Sequence, residues 1–244
     1  MIEVEGIEKT YSAGTVITPV LRGVSFCVEK GEYVAIMGAS GTGKSTLMNI
    51  LGCLDKPTAG QYRLDHVDIT TLDDDALSRL RNKKIGFVFQ QFHLLERITA
   101  LKNVLLPLIY SEEYPEDAEE RARTALRAVG LGERIDHRPN QLSGGQQQRV
   151  AIARALITDL DIILADEPTG NLDRKSGLEV MAIFEKLHQE GRTIILVTHD
   201  QTVAQHAERI IMLKEGRVAE DRLVERRLIP DVQIDNLDCE EDGQ

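Results

Sequence analysis

"GASGTGKST", residues 38 to 46, is the strongest motif in the chain. It satisfies the pattern G-x-x-x-x-G-K-[ST] and follows the apolar run "YVAIM" at 33 to 37, the strand context in which this pattern marks a phosphate-binding loop. Its glycines let backbone N–H groups converge on phosphate oxygens, and the helix expected to follow presents its positive N-terminal end to the same oxygens. The sequence therefore predicts a nucleotide site formed by Gly38, Ala39, Ser40, Gly41, Thr42, Gly43, Lys44, Ser45 and Thr46.

Side chains suited to phosphate chemistry lie in this loop and in "IILADEPTG" at 162 to 170. Lys44 is predicted to reach the β- and γ-phosphates, and the Ser45 hydroxyl to bind Mg²⁺. The apolar run ends with Asp166 and Glu167, so we expect both carboxylates at the carboxyl edge of a sheet, where open α/β folds bind ligands. Asp166 is the predicted Mg²⁺ ligand, and Glu167 the predicted general base that orients a water. An acidic pair after a strand more often caps a turn, but the upstream loop favours the catalytic interpretation.

Two further side chains follow strand-like runs and are candidates for the same site. His199 ends the run "TIILVT" and can donate to the γ-phosphate or to the attacking water, although a histidine at a strand end is more often structural. Gln90 follows "GFVF" and is predicted to touch the metal or water, and so to report the nucleotide state to the residues after it. The predicted catalytic residues are Lys44, Gln90, Glu167 and His199, and the predicted Mg²⁺ ligands are Ser45, Gln90 and Asp166.

Hydrophobic patterning outside the loop predicts an α/β fold. Continuous apolar runs are typical of strands covered on both faces in a parallel sheet, and they occur at 33–37, 162–165, 193–198 and 210–213. Helical spacing over 177–190 places a helix between two of these runs, which predicts a β-α-β unit. Residues 1–30 alternate apolar with small or polar side chains and contain glycines at intervals, as in an antiparallel β region. Residues 92–140 indicate an inserted helical subdomain, with one helix face made of Ala118, Ala122, Ala125, Leu126 and Val129.

Composition limits the classes of function. A net charge of -11 over 244 residues argues against a broad nucleic-acid surface, although a local basic groove stays possible. The three cysteines suggest neither a disulfide frame nor a zinc site.

The acidic N-terminus lacks a secretory pattern and no apolar run reaches the ~18 residues of a membrane span, so we expect a cytosolic chain. Residues 221–244 are expected to form a flexible acidic extension, since 231–244 holds six acids and no Lys or Arg.

A second glycine pair lies in "LSGGQQQRV" at 142 to 150, where it is also predicted to begin a helix. With "GASGTGKST", "FVFQ", "IILADE", "NLD" and "VTHD", this motif resembles the ATP-binding cassette family, with six motifs in the same order. The resemblance covers roughly residues 1 to 220. Segments such as "LGCLDKPTAG" and "FVFQQFHLL" are more specifically similar to ATPase subunits of the macrolide-export and lipoprotein-release type.

The resemblance implies a P-loop NTPase fold of the ABC ATPase kind: a RecA-like core, an N-terminal antiparallel β subdomain and a helical subdomain at about 87–160. It implies two cassettes arranged head to tail around two ATP molecules. Each phosphate loop would face the "LSGGQ" motif of the partner, here called the signature. Tyr11 would stack on adenine and Asp173 would communicate across the dimer. The residues that would bind ATP in trans are Leu142, Ser143, Gly144, Gly145 and Gln146.

The function implied by the resemblance is ATP hydrolysis that powers integral-membrane permease subunits, with the chain held on the inner face of the membrane by that partner. Phe92, Leu94 and Leu95 are candidate docking residues, and core packing accounts for them equally well. Two alternatives stay open at this point. One is a cassette ATPase that acts on DNA or the ribosome, although the single cassette without sustained heptads argues against it. The other is a nucleotide-binding regulatory module without turnover.

Overall fold

The computed structural model describes residues 1–14, 16–111, 113–158 and 160–232. The strands are β1 (Ile2–Ala13), β2 (Val16–Val28), β3 (Tyr33–Met37), β4 (Ala59–Leu64), β5 (Val67–Asp68), β6 (Ile85–Val88), β7 (Ile162–Asp166), β8 (Thr193–Thr198), β9 (Arg209–Lys214) and β10 (Arg217–Leu223). The α-helices are α1 (Lys44–Leu51), α2 (Asp74–Lys84), α3 (Ala100–Leu105), α4 (Ala118–Ala128), α5 (Gly144–Leu156), α6 (Arg174–Gln189) and α7 (Gln201–Ala204). Short 3₁₀ turns lie at Ile69–Thr71, Leu106–Tyr110 and Pro139–Gln141.

A central sheet carries the predicted parallel strands, in the order β10-β9-β3-β8-β7-β6. Strands β3 and β6 to β9 are parallel, and β10 pairs antiparallel with β9. Both β3 and β8 are buried along their whole length, as continuous apolar strands require. The predicted β-α-β unit is confirmed, because α6 connects β7 to its direct neighbour β8.

The two faces of the central sheet pack against different layers. On β3, Ala35 belongs to the core shared with α5 and α6, while Val34 and Ile36 belong to the core shared with α1 and the second sheet. This second sheet is antiparallel, in the order β2-β1-β4-β5, and its long hairpin β1–β2 matches the antiparallel region predicted for the N-terminus. The alternation of β3 side chains therefore places this strand between two buried layers, and the phosphate loop that follows it lies at the carboxyl edge of the sheet, where Ala39, Ser40 and Gly41 are exposed.

Helices α3, α4 and α5 lie inside the range predicted for the helical subdomain. On α4 the buried residues are Ala118, Ala122, Ala125 and Leu126, followed by buried Val129, which is the face predicted from spacing. Glu119 and Glu120 occupy its first turn, where carboxylates interact favourably with the helix dipole. Among the residues that the structure describes, no helix combines the length and apolar character needed to span a bilayer.

The predicted boundary at residue 220 is wrong, because it falls inside β10. The chain also stays packed beyond that strand: the Val224 N–H donates to the Glu208 carbonyl at 2.8 Å, and Arg227 Nη2 lies 2.6 Å from Glu185 Oε2. Sequence reasoning grouped these residues with the acidic stretch because they follow the last apolar run. The remainder of that extension, from residue 233, lies outside the described residues.

Candidate nucleotide site

An open cavity of about 880 Å³ lies where β3, β7 and β8 end at the carboxyl edge of the central sheet. The structure brings the predicted catalytic side chains together here, since Lys44, Gln90, Glu167 and His199 all line the cavity. Ser45, Thr46 and Asp166 line it too, as do Gly38, Ala39, Ser40, Gly41 and Gly43. Thr42 instead turns back into the loop, and its hydroxyl donates to the Ala39 carbonyl at 2.9 Å.

Glycines are required at two ends of the phosphate loop. A Cβ at Gly38 would lie 2.6 Å from the Leu213 carbonyl oxygen, closer than real Cβ contacts. Gly43 has φ +99°, and a Cβ there would lie 2.7 Å from the Leu21 side chain. Because α1 begins at the next residue, this backbone turns the N-terminal N–H groups of the helix toward the cavity. The loop is thus built for close approach of an anion to backbone.

The Lys44 ammonium is held at the loop itself. Its Nζ donates to the carbonyls of Gly38 at 2.7 Å and Ala39 at 3.0 Å. An ammonium has three donors, so these two bonds leave capacity for an oxygen of a bound phosphate. Lys44 therefore supplies the fixed positive charge of the cavity.

Asp166 supplies a desolvated negative charge opposite that lysine. Burial raises the pKa of its carboxyl, the negative charge of Glu167 raises it further, and Lys44 lowers it. A buried carboxylate beside a second carboxylate favours a cation. Together with the Ser45 hydroxyl and the Gln90 amide, it forms a set of hard oxygen donors of the kind that Mg²⁺ prefers. This donor set therefore fits Mg²⁺, with phosphate oxygens supplying the rest of its coordination shell.

The Glu167 carboxylate is fixed by neighbouring donors. Its Oε2 accepts from the Thr198 hydroxyl at 3.0 Å, and its Oε1 accepts from the His199 N–H at 2.9 Å. His199 Nδ1 lies 2.6 Å from the same Oε1. The side chain is only 15% exposed, and its backbone has φ +44°, which is unusual for a residue other than glycine. The Glu167 carboxylate is thus held in one orientation at the cavity wall.

The predicted action of His199 on phosphate or water stays a prediction, and in the structure its ring contacts the Glu167 carboxylate. Its ring is 68% exposed yet pairs with Glu167 through Nδ1. Sequence reasoning missed Thr198, the other side chain that holds Glu167. Its position as the last residue of β8, beside Asp166 at the end of β7, is the signal that points to it.

Gln90 lies at the cavity beside a residue that was not predicted to be functional. The Asn171 side-chain nitrogen donates to the Gln90 carbonyl at 3.1 Å, and Gln90 Nε2 donates to Asn171 Oδ1 at 3.4 Å. The amide pair links the turn after Glu167 to the end of β6. Asn171 begins the motif "NLD", but its contact with Gln90 could not be predicted from the motif, because the contact spans 81 positions of the chain.

Tyr11 does not line the cavity. Its hydroxyl donates to Asp55 Oδ2 at 3.0 Å, and Lys9 Nζ lies 5.1 Å from the centre of its ring. The side chain is 44% exposed on the β1–β2 hairpin, so its predicted stacking on adenine stays a prediction.

The glycine pair lies at the start of α5, as predicted. Ser143 is the N-cap: its hydroxyl accepts from the Gln146 N–H at 3.2 Å, and the Gln146 side chain accepts from the Ser143 N–H at 3.0 Å. The cavity described above has none of the five signature residues, Leu142, Ser143, Gly144, Gly145 and Gln146, among its lining. Within one chain, the two helix starts therefore serve different places.

Asp173 caps the neighbouring helix α6 and connects it to the signature. Its carboxylate accepts from the Ser176 N–H at 3.1 Å and from the Ser176 hydroxyl at 2.7 Å. A Cβ at Gly145 would lie 2.7 Å from Ser176 Cβ and Oγ. The second glycine of the pair is therefore needed for the close approach of α5 to α6.

These features define a phosphate-loop nucleotide-binding protein with the ABC ATPase fold. The chain belongs to the ABC transporter family, whose model matches residues 21–170. It is 54% identical over 221 residues to the macrolide export ATP-binding/permease protein MacB 1 of Yersinia pestis bv. Antiqua (strain Antiqua), covering 91% of this chain and 34% of that protein. It is 52% identical over 221 residues to the uncharacterized ABC transporter ATP-binding protein YvrO of Bacillus subtilis (strain 168), covering 91% of this chain and 96% of that one.

A solved structure agrees with the same assignment. The cassette MJ0796, described as a dimeric post-hydrolysis state bound to ADP and Pi, has 48% identity and a TM-score of 0.84, covering 92% of this chain and 99% of that one. The chain spans about a third of the length of the macrolide-export relatives that it matches.

Proposed function

We propose that this chain is the ATP-binding subunit of an ABC transporter, in which Mg²⁺-dependent ATP hydrolysis within a head-to-tail dimer powers a membrane permease. The observation that carries the proposal is the Glu167 carboxylate, fixed by Thr198 and His199 beside Asp166 at the phosphate-loop cavity. A protein that only bound nucleotide would need no such oriented base.

The chemistry follows from the positions of the side chains. Glu167 orients a water for in-line attack on the γ-phosphate, and His199 keeps the carboxylate turned toward that water. Lys44 and the loop N–H groups stabilise the negative charge that develops on the phosphoryl oxygens. Mg²⁺ held by Ser45, Gln90 and Asp166 would neutralise charge on the β- and γ-phosphates.

The dimer accounts for the second helix start. Ser143, Gly144 and Gly145 begin the 13-residue helix α5 away from the cavity of their own chain. They are proposed to bind the γ-phosphate held by the partner's loop, where the hydroxyl, the N–H groups and the helix dipole favour an anion. The dimeric form described for the cassette MJ0796 supports this arrangement.

The permease is the proposed membrane partner, and it would hold this chain on the inner face of the membrane. The Yersinia relative is a macrolide export protein, which supports transport over action on DNA or the ribosome. The transport step is either export of a small molecule or release of a lipoprotein. Leu95 is exposed beside the Gln90 segment, which supports docking there, whereas Leu94 packs partly against the core.

Phosphate release from the purified chain with Mg²⁺ and ATP tests the proposal. Glu167→Gln should bind ATP like the parent protein but lose at least ~100-fold in turnover, because the amide no longer orients the water as a base does. Glu133→Gln, in an exposed turn, is the control with the same loss of charge and should keep parent activity. Parent-like hydrolysis by Glu167→Gln would exclude Glu167 as the base.

A further inference from the structure

Residues 89–93, here called the glutamine segment, have most of their backbone carbonyls held by side chains from elsewhere. Gln148 Nε2 donates to the Phe89 carbonyl at 3.3 Å. Arg154 donates to the carbonyls of Phe92 at 2.9 Å and His93 at 2.6 Å. The Asn171 amide holds the carbonyl of Gln90, as described above. Two of these three donors belong to α5, the helix that begins at the signature.

Gln148 joins the two sides of the catalytic site. It is completely buried, and its Nε2 also donates to the Pro168 carbonyl at 2.7 Å. One amide nitrogen thus connects the residue before Gln90 with the residue after Glu167. Its Oε1 has no hydrogen-bond partner among the described residues, and an unpaired buried oxygen is costly. A side chain kept only for packing would be expected to be apolar at this place.

Arg154 holds the far end of the glutamine segment. Its guanidinium presents a planar fork to two successive carbonyls, a geometry that a lysine ammonium cannot reproduce. Arg154 is half-buried, which lowers its pKa, and its contact with the Phe92 carbonyl is partly buried whereas the contact with the His93 carbonyl is exposed. His93, at the receiving end, has φ +49° and packs against Phe89 with 5.0 Å between ring centroids. The segment is therefore a tight turn that depends on Arg154 for its shape.

We infer that Gln148 and Arg154 are positioning residues, which fix Gln90 relative to Glu167 and tie both to the signature end of α5. The inference rests on the proposed function and deepens it. Because α5 is one continuous helix, a displacement of the glutamine segment is passed to Ser143, roughly 7 Å from Gln148 at 1.5 Å per residue. Occupation of one chain's cavity would in this way adjust the surface offered to the partner's nucleotide.

Gln148→Met and Arg154→Met test the inference, since methionine keeps the length and removes the donors. Hydrogen–deuterium exchange of the nucleotide-free full chain should rise at least ~threefold across residues 89–93 in either variant. In Mg²⁺-ATP turnover, kcat should fall by about tenfold and KM for ATP should stay within about twofold, because the phosphate loop is untouched. The Mg²⁺ concentration for half-maximal turnover should rise. Arg154→Lys should restore part of the loss, as one carbonyl regains a donor.

Asn103→Leu is the matched control. Asn103 is also a completely buried amide that holds loop carbonyls, those of Leu95, Ile98 and Thr99 at 3.2, 3.4 and 3.0 Å, but it does not touch the glutamine segment. It should lower the thermal midpoint while leaving exchange at residues 89–93, kcat and Mg²⁺ dependence near parent values. Equal changes in both variants would reduce Gln148 to a packing residue and overturn the inference.

A double-mutant cycle tests whether Gln148 acts through Gln90. In a Gln90→Ala background, Gln148→Met should lower kcat by only about threefold, because Gln90 is gone and only the contact with the Pro168 carbonyl beside Glu167 is left to lose. A full tenfold loss in that background would overturn the inference. If the parent protein hydrolysed no ATP, the proposed function would fail, and the exchange measurement would still decide whether the two side chains hold the segment. If Gln148→Met does not fold, the two Arg154 variants carry the test.

Discussion

Gly145→Ala and Gly144→Ala form a matched pair that measures how closely the signature helix approaches α6. The added methyl group of Gly145→Ala would lie 2.7 Å from Ser176 Cβ and Oγ, whereas that of Gly144→Ala would meet only Leu172 at 3.5 Å and Phe92 at 3.8 Å. Both substitutions reduce the conformational entropy of the unfolded chain to the same extent, which stabilises the folded state by about 0.4–1 kcal/mol. Only Gly145→Ala also overpacks, at a cost of about 1–3 kcal/mol.

Gly145→Ala should therefore unfold more easily than Gly144→Ala by about 1–3 kcal/mol, which for a chain of this size is a difference of roughly 2–12 °C in thermal midpoint. Nucleotide-free protein followed by circular dichroism gives the measurement without any contribution from ATP. Ser176→Gly in the Gly145→Ala background should recover part of the loss, because it removes both close atoms, although it also loses a hydrogen bond to Asp173. Equal midpoints for the two alanine variants would show that α5 and α6 are not in this contact.

Two more predictions concern the proposed base, Glu167, and a surface ion pair. Thr198→Val removes the 3.0 Å donor to Glu167 at equal volume, so turnover should fall about tenfold with ATP affinity unchanged in equilibrium binding; unchanged turnover would show that this bond does not orient the base. Lys84→Met removes the 2.8 Å contact to Asp161, whose pKa the Lys84 hydrogen bond lowers, and should cost about 1 kcal/mol of unfolding free energy at pH 7. A carboxyl whose pKa is depressed in the folded state stabilises that state at pH values above the unfolded pKa of about 3.9. The difference in unfolding free energy between variant and parent should therefore shrink as pH falls through the folded pKa of Asp161. A difference that grew in acid would contradict the assignment.

The parts of the site that follow strand ends were predictable from sequence. The phosphate loop, Asp166 and His199 each come directly after an apolar run, and parallel strands bring such residues to one edge whatever the intervening chain does. The packed face of α4 was predictable for a similar reason, because helical periodicity is local information.

Contacts between distant side chains were not predictable in this way. Gln148 contacts Phe89 across 59 positions of the chain, and Arg154 contacts Phe92 across 62. Both lie in α5, where the sequence pattern indicates only the glycine pair at the start of the helix. The orientation of His199 toward Glu167 and of Tyr11 toward Asp55 depends on which partner is nearest once the chain has folded. The end of the packed domain was placed too early, since the polar strand β10 carries no apolar run and is held by pairing to β9.

In the proposed dimer a complete ATP site needs two chains, one giving the phosphate loop and the other the Ser143 end of α5. Light scattering of Glu167→Gln with Mg²⁺-ATP tests it most directly. The measured mass should be twice the 27.2 kDa of one chain, and adding Ser143→Arg to the same variant should return it to a single chain while equilibrium ATP binding persists. A Glu167→Gln protein that binds ATP and remains at 27.2 kDa, or a Ser143→Arg form that still dimerises, would contradict the composite site.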